Sequence, residues 1–249
     1  MRVLRAATFN LLFLALTSLL GVLALPLLLV ERRHAVRVGR IWARGVMALL
    51  RGIVGLRFVV TGQEHLPRQG PALIAAKHQS AFDTVVWLLL VPDAAYVLKR
   101  ELLRVPVYGW FARHAGMIAV DRAAGAGAMR GLIRDGEAAL AAGRQVVIFP
   151  EGTRTAPGSE RPYQPGIAAL YARAGLAVIP VATDSGRFWG RRAFLKHPGT
   201  ITVAIQPPIA PGLGKQAFLS ALRQRIEEPS QALLKRFADA VDKSGESGT

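Results

Sequence analysis

The sequence contains no cysteine, which removes a disulfide framework, a thiolate metal site and a cysteine nucleophile at once, and fits a reducing compartment. Acidic residues are scarce: 16 Asp and Glu stand against 32 Lys and Arg, a formal net charge of +16. Such a field favours polyanions, whether nucleic acid, anionic lipid headgroups, phosphorylated substrates or an acidic carrier protein. Charged residues make up only 19% of the 249 and hydrophobic residues 51%. That balance excludes a disordered, collagen-like or coiled-coil chain and supplies a sizeable core. The five histidines, His34, His65, His78, His114 and His197, are scattered without ligand spacing, so no metal is implied.

Charge is missing altogether from Ala6 to Val30. As a helix, the part before Pro26 would span about 30 Å, one hydrocarbon core. The run is too long for the apolar region of a cleavable signal, and no small-x-small site follows it. Arginines stand on both sides, so the positive-inside rule fixes no orientation. At helical spacing Arg33, Arg37, Arg40, Arg44 and Arg51 share one face, while Val38, Trp42, Val46, Leu49, Leu50 and Ile53 share the other. This is the pattern of a basic amphipathic helix lying against anionic lipid, although a solvated face on a globular helix has it too. Residues 1–54 are expected to be membrane-attachment helices, spanning or held in one leaflet.

From Gly55 the pattern changes to short β-rich runs separated by helical stretches. Strands are expected at Leu56–Thr61, Ala72–Ala76, Ala95–Leu98, Met117–Val120, Gln145–Phe149, Val178–Ala182 and Thr200–Ile205. Helices are expected at Ala81–Val91, Val107–His114, Gly125–Ala142, Pro165–Ala174 and Lys215–Val241. This alternation predicts an α/β domain over 55–241, a mostly parallel mixed sheet of about seven strands flanked by helices, with 242–249 as a polar tail. In such sheets ligands sit beyond the carboxyl ends of the strands, so the loops after strands are the place to look.

Three of those loops carry chemistry. The first is Lys77-His78-Gln79-Ser80-Ala81-Phe82-Asp83. His78 has a pKa range suited to taking a proton from a hydroxyl. Asp83 would orient the ring and stabilise its imidazolium if His78 lies in the loop and Asp83 in the first helical turn. Ser80-x-x-Asp83 also reads as a capping box, which is compatible. The second loop, Phe149-Pro150-Glu151-Gly152-Thr153-Arg154, offers a guanidinium, a hydroxyl and close backbone access at a glycine, an anion clamp. The third runs from Lys99-Arg100-Glu101-Leu102 to Gly116-Met117-Ile118-Ala119-Val120-Asp121-Arg122 and puts Lys99 and Arg122 beside strand ends.

In order and spacing these blocks, together with Val178-Ile179-Pro180-Val181, resemble the glycerophospholipid acyltransferase family, in particular its 1-acyl-glycerol-3-phosphate acyltransferases. The resemblance covers roughly Gly55 to Pro208. One departure is Lys77, where many members have Asn. The resemblance implies acyl transfer from a thioester to the free sn-2 hydroxyl of a lysophospholipid, with His78 and Asp83 catalytic. It implies Lys99, Arg122, Glu151, Gly152, Thr153 and Arg154 as substrate-binding residues. No resident cofactor is expected, with acyl-coenzyme A or acyl-acyl carrier protein as co-substrate. Partners are then the lysophospholipid acceptor, that donor and the membrane surface, with no nucleic acid, at the cytoplasmic side of the inner membrane. Rival readings are another acceptor such as a lyso-ornithine lipid, a lipid esterase using Ser80, and a non-catalytic basic membrane- or nucleic-acid-binding protein. The missing Gly-x-Ser-x-Gly elbow and the lack of a nucleic-acid motif count against the last two.

Overall fold

Runs such as Ala72–Ala76 and residues 178–182 are apolar at every position, and every one of their residues is buried. That is the signature of strands covered on both faces. The structure is a computed structural model that describes residues 1–246, save the side chains of Arg122 and of 237–246. Seven strands are β1 (Leu56–Thr61), β2 (Ala72–Ala76), β3 (Ala94–Lys99), β4 (Ile118–Val120), β5 (Gln145–Ile148), β6 (Val178–Thr183) and β7 (Gly199–Ile205). They form one sheet in the order β1-β7-β6-β2-β5-β3-β4. All neighbours are parallel except β6 and β7, which pair antiparallel. The five strands from β6 to β4 therefore deliver their carboxyl ends to one edge of the sheet.

Side chains alternate between two cores. Ile74 and Val147 face one, with Val85, Val86 and Trp87 of helix α3 (Phe82–Leu90). Leu73, Ala75, Val146 and Ile148 face the other, under α5 (Ala126–Ala141), α6 (Pro165–Ala174) and α8 (Lys215–Glu246). Phe218, Leu222 and Ile226 recur every four residues on α8 and are fully buried, as an amphipathic helix requires. Helix α8 passes the expected end at Val241, and residues 247–249 of the expected tail lie outside the described residues.

The N-terminal segment is two helices, α1 (Arg2–Leu23) and α2 (Arg32–Leu49). Helix α1 is long and apolar enough to cross a membrane, with a mean hydropathy of 2.0 and 11% of that stretch buried. It leaves Leu4, Leu11, Leu14, Leu19 and Leu23 exposed, a surface that suits membrane association. Helix α2 is amphipathic as expected, but its apolar side is packed against α1 and α3, with Ala43, Val46 and Leu50 buried. Its outward face carries the exposed Arg33, Arg37 and Arg44. Lipid can therefore meet α2 chiefly through its cations, while α1 offers the apolar surface. Two clasps hold these helices to the domain. Arg32 makes a two-pronged contact with Asp93, at 2.7 and 2.5 Å. Lys196 donates to Asn10 Oδ1 at 2.5 Å and lies over the Phe9 and Trp189 rings.

Candidate active site

The pairing of β2 with β6 continues one residue past β2, where the Lys77 N–H donates to the Val181 carbonyl at 2.8 Å. The chain then leaves the sheet and wraps around one carboxylate. Asp83 Oδ2 accepts from the backbone N–H of Gln79 (2.7 Å) and of Ser80 (2.8 Å), and lies 3.1 Å from His78 Nδ1. Ser80 Oγ accepts from the Phe82 N–H at 3.1 Å while Asp83 accepts the Ser80 N–H, so the capping box forms at the start of α3 and the same carboxylate faces the histidine. A carboxylate can only accept, which assigns the ring proton to Nδ1 and leaves Nε2 with the free lone pair. The His78 ring lies flat on Phe149, with centroids 4.1 Å apart.

The loop after β5 straps the histidine's backbone from both sides. Its Thr155 donates N–H and Oγ1 to the His78 carbonyl at 2.8 and 3.1 Å. Glu151 Oε1 accepts the His78 N–H at 3.3 Å. Gly152, at φ 67, makes this turn possible, with its N–H on the Phe149 carbonyl at 2.9 Å.

Glu151, expected among the substrate-binding residues, is placed inside the fold. It is 3% exposed and absent from the cavity wall, because Lys77 lies inside the fold and draws it there. Lys77 Nζ is 3.4 Å from Glu151 and 2.6 and 2.8 Å from the carboxylate of Glu227 on α8. Tyr163 OH donates to the same Glu227 at 2.9 Å. Burial pushes the Glu151 carboxyl up from 4.5 to about 7, against the pull of Lys77. Its Oε2 has no hydrogen-bond partner among the described residues, which works in the same direction. A carboxyl raised in the folded state binds its proton more tightly there, so its contribution to stability is complete below about 4.5 and lost as pH rises through about 7. Glu151→Gln is expected to flatten thermal stability across that window, measured as melting temperature in detergent. A slope equal to that of wild type would remove Glu151 as its source.

His78, Lys99, Gly152, Thr153 and Arg154 line a cavity of about 1120 Å³ between the strand ends and the N-terminal helices. Its walls are mostly apolar, including Phe13 and Leu20 of α1, Trp42 of α2, Leu88 of α3, and Phe111 of α4 (Tyr108–His114). Cations line it too, namely Arg40, Lys99, Arg154, Arg191 and Arg192, and no carboxylate does among the described residues. Lys99 is exposed at the end of β3, and Arg122 follows β4 with a side chain outside the described ones. Burial lowers the Arg154 guanidinium from its ordinary value, with Asp83 pulling it up and Arg191 pushing it down.

The comparison with known proteins meets this geometry. A family model described as Acyltransferase matches residues 57–184, from the edge strand to the end of β6. The chain belongs to the acyltransferase family. It is 39% identical over 187 residues to the 1-acyl-sn-glycerol-3-phosphate acyltransferase of Pseudomonas aeruginosa, covering 75% of this chain and 72% of that one. It is 29% identical to the 1-acyl-sn-glycerol-3-phosphate acyltransferase alpha of Mus musculus, over 77% of this chain and 67% of that one. The fold matches the crystal structure of the 1-acyl-sn-glycerophosphate (LPA) acyltransferase of Thermotoga maritima with a TM-score of 0.78 and 21% identity, over 94% of this chain and 98% of the other. In this acyltransferase two residues at the site had no place in the sequence reading. Ser185, the first residue of α7 (Ser185–Phe188), donates its hydroxyl to Asp83 Oδ1 at 2.6 Å. It follows β6, so the rule about post-strand loops could have found it had that loop been followed. Glu227 lies far along the chain, on a helix with no motif, and nothing in the sequence singles it out.

Proposed function

We propose that this acyltransferase moves a fatty acyl group from a thioester donor to the free sn-2 hydroxyl of 1-acyl-glycerol-3-phosphate, forming phosphatidic acid. The observation that carries the reading is the His78–Asp83 pair in an apolar cavity rimmed by cations without a carboxylate. The names of the acyltransferases it resembles support the same acceptor.

In this reading Nε2 of His78 takes the hydroxyl proton as the oxygen attacks the thioester carbonyl, and Asp83 stabilises the imidazolium. Collapse of the tetrahedral intermediate expels the thiolate, which takes the proton back from His78, so the ring ends neutral. No enzyme nucleophile is needed. Ser80 Oγ caps α3, and the residue is buried and absent from the cavity wall, which supports direct transfer. Arg154, Lys99 and Arg122 would hold the phosphate, while Gly152 and Thr153 shape the cavity beside it. Acyl-coenzyme A and acyl-acyl carrier protein both fit as donors, since the surplus of cations suits the phosphates of one and the acidic surface of the other. The reading sets the enzyme at the inner membrane with its site on the cytoplasmic side, where both donors occur.

The test is transfer of a labelled acyl group to lysophosphatidic acid by the purified full chain in mixed micelles, with each donor offered in turn. Labelled phosphatidic acid is the expected product. No product with either donor, or transfer to lyso-ornithine lipid in its place, would overturn the acceptor assignment.

A further inference from the structure

The segment from Ser185 to Lys196 joins the His78–Asp83 pair to helix α1. It starts at the hydroxyl on Asp83 and ends at the ammonium on Asn10. Between them Trp189, Arg191 and Arg192 lie on the cavity wall. Turns within the segment fix it: the Trp189 N–H donates to the Ser185 carbonyl at 3.0 Å, and the Ala193 N–H to the Gly190 carbonyl at 3.2 Å. Arg192 has φ 58, a left-handed conformation that a non-glycine residue keeps only where its surroundings hold it. Both arginines are exposed, and neither makes a hydrogen bond or an ion pair among the described residues. Burial lowers the Arg154 guanidinium, Asp83 pulls it back up, and Arg191 is near enough to add a smaller push down. Three like charges thus share a wall with no carboxylate among its described residues.

We propose that Arg191 and Arg192 add a further side to the acceptor's phosphate seat, joining Arg154 and the Lys99 and Arg122 assigned above on a phosphate monoester. The proposal rests on the acceptor assigned above. A phosphate monoester is close to dianionic at neutral pH and presents three acceptor oxygens, more than one guanidinium can match. Planar forks on two strand-end loops recognise it as a dianion, and the clasp of Lys196 on α1 ties one of those loops to the membrane helix.

The test measures KM for lysophosphatidic acid and for acyl-coenzyme A separately, in wild type, Arg191→Gln, Arg192→Gln and the double variant. Arg57→Gln, an exposed site on β1 outside the cavity lining, controls for the loss of one charge at the micelle surface. The expected result is a rise of roughly ten- to a hundredfold in KM for the acceptor in the double variant. Its kcat and its KM for the donor stay within about twofold, and Arg57→Gln behaves as wild type. Glycerol 3-phosphate, the headgroup alone, should also compete at least tenfold more weakly with the acceptor in the double variant. A rise in the donor KM instead would assign the pair to the donor's phosphates and overturn the proposal. Unchanged constants would overturn it too, leaving the acceptor assignment intact. Failure of wild type to acylate lysophosphatidic acid would fell both.

Discussion

His78→Ala is expected to slow acyl transfer by about 10²–10⁴-fold, with KM for the acceptor little changed. The ring supplies the lone pair that takes the proton, and no second base replaces it, because Asp83 is 3% exposed and absent from the cavity wall. The loop should survive the change. Its shape comes from the backbone N–H groups of Gln79 and Ser80 on Asp83 and from Thr155 on the His78 carbonyl, none of which needs the imidazole. Single-turnover rates in mixed micelles, with circular dichroism to establish the fold, read the effect directly. Transfer within a few-fold of wild type would remove His78 as the base and leave the acceptor chemistry standing. Asp83→Asn is a poorer test, since an amide NH₂ turned toward those N–H groups would open the loop as well.

Breaking the ion pair between Lys77 and Glu227 is expected to cost about 3–5 kcal/mol, because the partner left behind is a buried, uncompensated charge. For a domain of this size that corresponds to a fall of roughly 6–20 °C in melting temperature. Lys77→Met should be the more damaging single change, since it leaves the carboxylates of Glu151 and Glu227 in the same interior without a cation. Glu227→Leu strands Lys77 beside Glu151 alone at 3.4 Å. The double variant Lys77→Met/Glu227→Leu should melt closer to wild type than either single one, as an apolar pair requires no desolvation of charge. Thermal unfolding in one detergent decides it. Single variants melting within about 2 °C of wild type would show that the pair contributes nothing. The outcome also bears on activity, because the same Lys77 holds Glu151, and Glu151 holds the His78 N–H.

Strand limits were legible at several of the places where an apolar β-branched run met Gly or Pro, though β5 stops at Ile148, one residue short of the expected Phe149. β1 and β2 begin and end at the residues expected, and α6 does so behind its N-terminal proline. The His78–Asp83 pair was legible because a capping box and a histidine in one loop leave few ways to place the two side chains. What failed was burial and distant pairing. Glu151 sits in a turn among cations and so reads as exposed, yet it is held inside by Lys77, the one residue where the motif departs from many members of the family. Its reason lies on α8, beyond the reach of any local pattern. The reversal between β6 and β7 was equally hidden, because the link from Thr183 to Gly199 is long enough for either direction. The amphipathic pattern of α2 was read correctly, but a pattern names a face without naming its partner, and that partner is the protein's own core.

The pairing of β1 with β7 also sets an order of assembly. β1 follows the N-terminal helices directly, and its register with β7, Leu56 against Gly199, joins opposite ends of the α/β domain. A chain emerging from the ribosome completes α1 and α2 long before β7 exists. The apolar helix is therefore complete while the sheet still lacks its edge, and a pairing between segments so remote in sequence is of the kind that slows folding. The helix that forms first thus later becomes part of the cavity wall.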